Sequence, residues 1–315
     1  MIVRRNIAGL LRLSDLAAAN RAHGINQLTQ VDEHNGSARW TMSNRMFEAA
    51  DHAKLYHKFR PKWSPEIVNK AVSFVIEKNS KSTSLHHAVD LGCGTGQTTE
   101  ILAPLFQRVT GIDISATQIA QAAANSKYSN VQYTVGRAEN MPFPDGSIDL
   151  VTCATAAHWF DFPKFHKEVN RVLKPLGCLA VYCYGMSYLH YEDCTDELNR
   201  IVWQFYKGSL QGCWNKGQQF IDNDYRDLPM PYEDTERDYS MSIKVDYTLP
   251  EFIGYLSTWS GYQEYCRRHP EDQGALLQSL QQRLYDSAKT TKPAEELIFR
   301  ASFPVFLLMS RKPEQ

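Results

Sequence analysis

Val89-Asp90-Leu91-Gly92-Cys93-Gly94-Thr95-Gly96-Gln97 is the stretch that decides the fold. Ala88–Leu91 is a short apolar run that reads as a buried strand, and three alternating glycines follow it directly. From Gln97 to about Leu105 the pattern is helical. A strand that ends in glycines and feeds a helix lets a ligand approach the backbone where a side chain would stand in the way. Nineteen residues beyond Gly94 lies Asp113, at the end of the next apolar run, Val109–Ile112. A carboxylate there can accept hydrogen bonds from both hydroxyls of a ribose. Both features fall at the carboxyl ends of adjacent strands, where doubly wound sheets bind ligands.

Outward from this loop the chain alternates strand and helix. Ser115 and Gln118 cap a helix through about Ala124, and Val131–Val135 is a third strand. Turn chemistry over 142–146 precedes a fourth strand, Ile148–Ala154. Asp161 and Pro163 open a helix to about Leu173, and Cys178–Tyr184 is a fifth strand. This rhythm implies βαβ units and a doubly wound, mostly parallel α/β sheet of Rossmann-like type, with helices on both faces. It breaks after Gly185. Residues 186–290 are rich in aromatic and polar residues, with mainly helical patterns such as Leu276–Tyr285, and read as a cap inserted over the sheet. Residues 291–315 return to the sheet, with Phe303–Met309 expected as an antiparallel edge strand. The sheet domain is placed at 46–185 and a disordered N-terminal extension at 1–45.

Three readings of the glycine loop compete. A tight turn without ligand leaves Asp113 unexplained. A dinucleotide fingerprint would need glycine at position 97, where Gln97 stands. S-adenosylmethionine has no pyrophosphate and makes no such demand. Here the chain resembles the class I S-adenosylmethionine-dependent methyltransferases. The form Asp-x-Gly-x-Gly-x-Gly over Asp90–Gly96 is similar to that family's first motif, and Asp113 matches its ribose-binding acid. The resemblance implies cofactor contacts from Asp90, Gly92, Gly94, Gly96 and Asp113. Gly136-Arg137-Ala138-Glu139-Asn140 resembles the family's adenine-binding segment, which implicates Ala138 and Glu139; Arg137 stands where an acid is often found. Thr155, just after the fourth strand, joins the implied set. Tyr56 and Arg60, in a Tyr…Arg-Pro segment, resemble a lid near the sulfonium and the methionine carboxylate; read by residue type alone, the same segment is a surface helix. Leu173-Lys174-Pro175-Leu176-Gly177 reads as a structural turn.

Ala154-Thr155-Ala156-Ala157-His158-Trp159-Phe160-Asp161 replaces the Asn/Asp-Pro-Pro-aromatic run of nucleic-acid amino methyltransferases. It resembles a small-molecule branch related to trans-aconitate methyltransferases, as does Tyr255–Ser260. That resemblance implies O-methylation of a small organic acid, with His158, Trp159, Trp214 and Trp259 around the acceptor. A carboxylate needs no general base. A phenol or amine does, and His158 is then the catalytic candidate, since histidine ionises near neutrality. As a partner for an anionic acceptor the candidates are His158, Arg60, Arg267 and Arg268. A non-catalytic protein that keeps the fold is the third reading.

The bulk numbers agree with a globular enzyme. Net charge is −1 over 315 residues, so nothing global calls for nucleic acid or an anionic membrane. No run approaches the length of a membrane span. Seven cysteines without CxxC spacing argue for a reducing compartment, no disulfide framework and no metal site. The cytoplasm is the expected location. Residues 1–41, rich in arginine and poor in acids, also read as a mitochondrial transit peptide, or as sequence upstream of a start at Met42 or Met46.

Overall fold

A computed structural model of the chain describes residues 50–78 and 85–315. The expectations for residues 1–41 therefore lie outside the described residues. The described chain forms two compact units, one from 50–60, 188–215 and 244–302, the other from 61–187, 216–243 and 303–315.

The second unit contains the sheet. Its strands are β1 (His87–Leu91), β2 (Arg108–Asp113), β3 (Val131–Val135), β4 (Ile148–Ala154) and β5 (Leu173–Tyr184), in the order β3-β2-β1-β4-β5, all parallel. The last strand, Ile298–Arg311, begins in the first unit and ends in the second. Its residues Val305–Arg311 run antiparallel to β5. They are not at an edge as expected, because Thr235–Asp238 pairs along residues 307–310. That four-residue strand, Thr-Glu-Arg-Asp, has no apolar signal, and its charged faces suit an outer position.

Local chemistry sets the boundaries. The helix after β1 runs Gln97–Leu102 and tightens into a 3-10 turn at Ala103–Leu105, because Pro104 has no N–H to donate. Ser115 caps the helix Ala116–Asn125 by accepting from the Gln118 amide. Asp161 does the same for Phe162–Val172 through the Lys164 amide. The turn expected at 173–177 is absorbed into β5 as an irregularity: Leu176 is left-handed, and the register against β4 slips between Ile148 and Leu150. Val89, Leu91, Ile112, Val151, Phe165, Val169, Leu179, Val181, Phe306 and Leu308 make the core of this unit.

The first unit is mainly helical. It includes Ala50–Phe59, Thr195–Gln204, Leu249–Ser257, Ser260–Arg268 and Ala275–Ser287, with the short strand Tyr188–His190 paired to residues 300–302. Thr248 and Glu251 form a full capping box at the start of Leu249–Ser257. Among the described residues no helix is long and apolar enough to cross a membrane, and no cluster of three or more acids, histidines or cysteines could hold a metal ion.

Candidate functional site

The glycine loop crosses from β1 to its helix with Gly92, Gly94 and Gly96 all left-handed, at φ 63, 55 and 87. Only glycine takes that backbone without strain. Packing repeats the demand. A Cβ at Gly92 would stand 2.5 Å from the Ala156 Cβ, in the loop after β4, and one at Gly96 would overlap the Tyr133 hydroxyl. The loop is thus shaped by its own neighbours before any ligand is considered.

Asp113 ends β2 and faces this loop. Its Oδ2 accepts from the Gly94 amide at 2.9 Å and its Oδ1 from the Ser115 amide at 2.8 Å. Burial raises its pKa above the usual carboxylate range, and the backbone amides of Ser115 and Gly94 oppose the rise. Each carboxylate oxygen carries two lone pairs. The amides of Gly94 and Ser115, with that of Ile114 also facing the carboxylate, fix its orientation.

Asp90 lies behind the loop, fully buried. Thr99 Oγ1 donates to one of its oxygens at 2.7 Å and Thr152 Oγ1 to the other at 2.9 Å. Burial raises its pKa to about 7. Asp90 therefore ties β1 to the following helix and to β4, which sets the loop's base. Tyr133 braces the loop's far end. It stands opposite Gly111 in the β2–β3 register, and its hydroxyl donates to Glu100 at 3.2 Å. The sequence reading missed Tyr133, because its place opposite Gly111 is a matter of cross-strand register, which alternation alone does not give.

The loop after β4 closes the same region. Thr155 is left-handed at φ 54, a costly conformation for a β-branched residue, and its hydroxyl is buried with no protein partner. His158 is buried in a short 3-10 turn, Ala157–Trp159, and its Nδ1 lies 2.6 Å from the Tyr225 hydroxyl. Trp159 packs against the His158 ring at 5.3 Å. Ala138 is buried, and Glu139 accepts from the Asp161 amide at 3.1 Å while facing Arg137 at 3.7 Å. Asp90, the three glycines, Asp113, Ala138, Glu139, Thr155, His158 and Trp159 thus all belong to the sheet unit.

Tyr56, Arg60, Trp214 and Trp259 belong to the other unit. Arg60 donates through Nε to Thr258 Oγ1 at 2.8 Å and through Nη2 to the Thr258 carbonyl at 3.1 Å, with its guanidinium over the Tyr56 ring at 4.9 Å. Trp214 and Trp259 join Phe205, Tyr206 and Tyr255 in an aromatic cluster, and the Trp214 indole donates to the Tyr206 carbonyl at 3.1 Å. Arg267 and Arg268 both pair with Glu264, whose pKa they hold at about 2.

Comparison with known proteins fits this geometry. Residues 89–181, from β1 into β5, match a methyltransferase domain family. A Dictyostelium discoideum protein assigned as a methyltransferase is 32% identical over 260 residues, covering 82% of this chain and 93% of the relative. The chain is a class I S-adenosylmethionine-dependent methyltransferase. A solved structure assigned as a type II methyltransferase from Anaeromyxobacter dehalogenans matches this methyltransferase with a TM-score of 0.64 and 28% identity. It covers 81% of this chain and 99% of that one. The 2-methyl-6-phytyl-1,4-hydroquinone methyltransferase of Synechocystis is 31% identical over 190 residues, 55% of this chain and 58% of its own length. The methyltransferase's cofactor is S-adenosylmethionine, as its family requires.

Proposed function

We propose that this methyltransferase acts on a small molecule and transfers the methyl group to an oxygen of a small organic acid. In this reading Gly92, Gly94 and Gly96 line the cofactor's path and Asp113 offers its remaining lone pairs to the ribose. Ala138 and Glu139 flank the base, and Asp90 holds the loop from behind. Two observations support that placement: the Asp113 carboxylate held in fixed orientation at the loop and the buried Thr155 hydroxyl that no protein group satisfies. Trp159, packed on the His158 ring, helps to exclude water from the acceptor.

When bound, S-adenosylmethionine supplies a methyl carbon already activated by its sulfonium. The chain's task is to align an acceptor in line with that carbon and keep the site dry. A carboxylate is already ionised, so its cost is desolvation, which a buried donor must offset. His158 carries this reading. The Tyr225 hydroxyl stands 2.6 Å from its Nδ1. With the phenol donating to Nδ1, Nε2 bears the hydrogen and donates to an anion.

A second reading makes His158 a general base for a phenol or amine, with Nδ1–H donating to Tyr225. The hydroquinone methyltransferase among the relatives favours it. A methyl-transfer screen with labelled cofactor over carboxylic acids, phenols and amines separates the two. The proposal expects labelled methyl esters. Turnover confined to phenols or amines, rising with pH along a limb that His158→Ala removes, would replace the first reading with the second.

A further inference from the structure

We infer that Tyr225 is a positioning residue for His158, held in place by a strained turn that Arg237 clamps. The inference deepens the reading above, in which His158 faces the acceptor. Tyr225 lies 67 residues from His158 in sequence, yet its hydroxyl stands 2.6 Å from Nδ1 with both side chains buried. It arrives on the turn after the helix Gln218–Asp222, where Asp224 and Tyr225 are left-handed in succession, at φ 51 and 56. Two adjacent non-glycine residues in that region are rare, and such strain persists only where the surroundings over-determine it.

Here the surroundings do. The Tyr225 amide donates to the Phe220 carbonyl at 2.7 Å. From the strand Thr235–Asp238, Arg237 donates Nη1 to the Tyr225 carbonyl and Nη2 to the Leu228 carbonyl, both at 2.9 Å. The Tyr225 ring packs on Phe306 in the sheet core at 5.3 Å. The guanidinium thus fixes the turn, the turn fixes the ring, and the ring delivers one hydroxyl to one imidazole nitrogen.

The direction of that bond follows from chemistry. The Tyr225 hydroxyl also meets the Cys183 thiol, but sulfur is a weaker acceptor than an imidazole nitrogen, so the short bond runs from Tyr225 Oη–H to Nδ1. Burial pushes the Tyr225 phenol well above its ordinary value, which keeps the proton on oxygen. Neutral His158 is then locked with its hydrogen on Nε2 and its ring plane set. A merely structural tyrosine would have no effect on which nitrogen carries the hydrogen.

The test uses the full chain labelled with 15N-histidine and reads the ring nitrogens by NMR. His158 is assigned as the signal lost in His158→Gln. The wild type should carry its neutral hydrogen on Nε2. Tyr225→Phe keeps the ring and removes the hydroxyl, and should convert His158 to a mixture of tautomers while the other histidine signals stay in place. Arg237→Met keeps the hydroxyl but frees the turn, and should move the His158 signal in the same direction. A wild-type hydrogen on Nδ1 would overturn the inference, as would a His158 signal that neither variant moves. If Tyr225→Phe disturbs the other histidines, the same criterion applied to Arg237→Met decides. Kinetics separates the two claims. His158→Gln with undiminished turnover removes the acceptor reading and leaves the tautomer result standing. An unmoved tautomer in the variants removes Tyr225 whatever His158→Gln does to turnover.

Discussion

Gly96 and Gly146 share a left-handed backbone, at φ 87 and 60, but not a neighbourhood. An added Cβ at Gly146 meets nothing within 4 Å, whereas at Gly96 it overlaps Tyr133. Gly146→Ala should therefore report backbone strain alone, about 1 kcal/mol. Gly96→Ala should cost clearly more, and Tyr133→Ala in the same chain should recover the excess while leaving the strain. Denaturant midpoints of the variants check this, and equal costs at the two glycines would mean that Tyr133 does not brace the loop. Thr155 gives the converse case. Its buried hydroxyl has no partner in the protein, so Thr155→Val should leave stability unchanged or raised. The same change should weaken S-adenosylmethionine binding several-fold, by about 1 kcal/mol, if the hydroxyl is kept for the cofactor. A stability loss with unchanged binding would assign the hydroxyl to the fold instead.

Asp90 works at the scale of elements, joining β1 to the helix Gln97–Leu102 through Thr99 and to β4 through Thr152. Burial lifts its pKa from 3.8 to about 7, so the folded state holds a proton that the unfolded chain releases near pH 4. Folding stability should then fall as pH rises between about 4 and 7, by on the order of a few kcal/mol. Asp90→Asn should flatten that slope in denaturation series at pH 5 and 8. Parallel slopes in the two proteins would show that Asp90 ionises normally. The elements themselves were legible where apolar runs, glycines and caps coincide: β1 to β5 and the caps at Ser115 and Asp161. The strand Thr235–Asp238 was not, because its side chains carry charge on both faces and its pairing partner lies some seventy residues away. For the same reason Phe303–Met309 read as an edge. Tyr225 was invisible for a further reason: its position depends on a strained turn and a distant arginine, and neither leaves a pattern in sequence.

For the whole molecule, a net charge of −1 supplies no long-range field to steer a polyanion. The sequence placed the sheet, the loop and its acid correctly, since all three derive from contiguous motifs. It could not foresee that residues 216–243 group with the sheet unit while their neighbours on either side form the other, because that grouping is made by long-range contacts alone. Binding to the folded state adds stability by mass action. At a hundred times Kd, S-adenosylmethionine should stabilise the chain by about 2.7 kcal/mol and raise its Tm. A Tm that does not respond over that range would mean that no folded-state site is being filled. In the proposed function Asp113 is both the loop's internal anchor and the ribose acceptor. Calorimetric titration of S-adenosylmethionine into wild type and Asp113→Ala tests this most directly. The wild type should show saturable one-site binding and the folded variant a loss of roughly tenfold or more, since each ribose bond contributes about 1–2 kcal/mol. Equal affinity in a folded Asp113→Ala protein would contradict it.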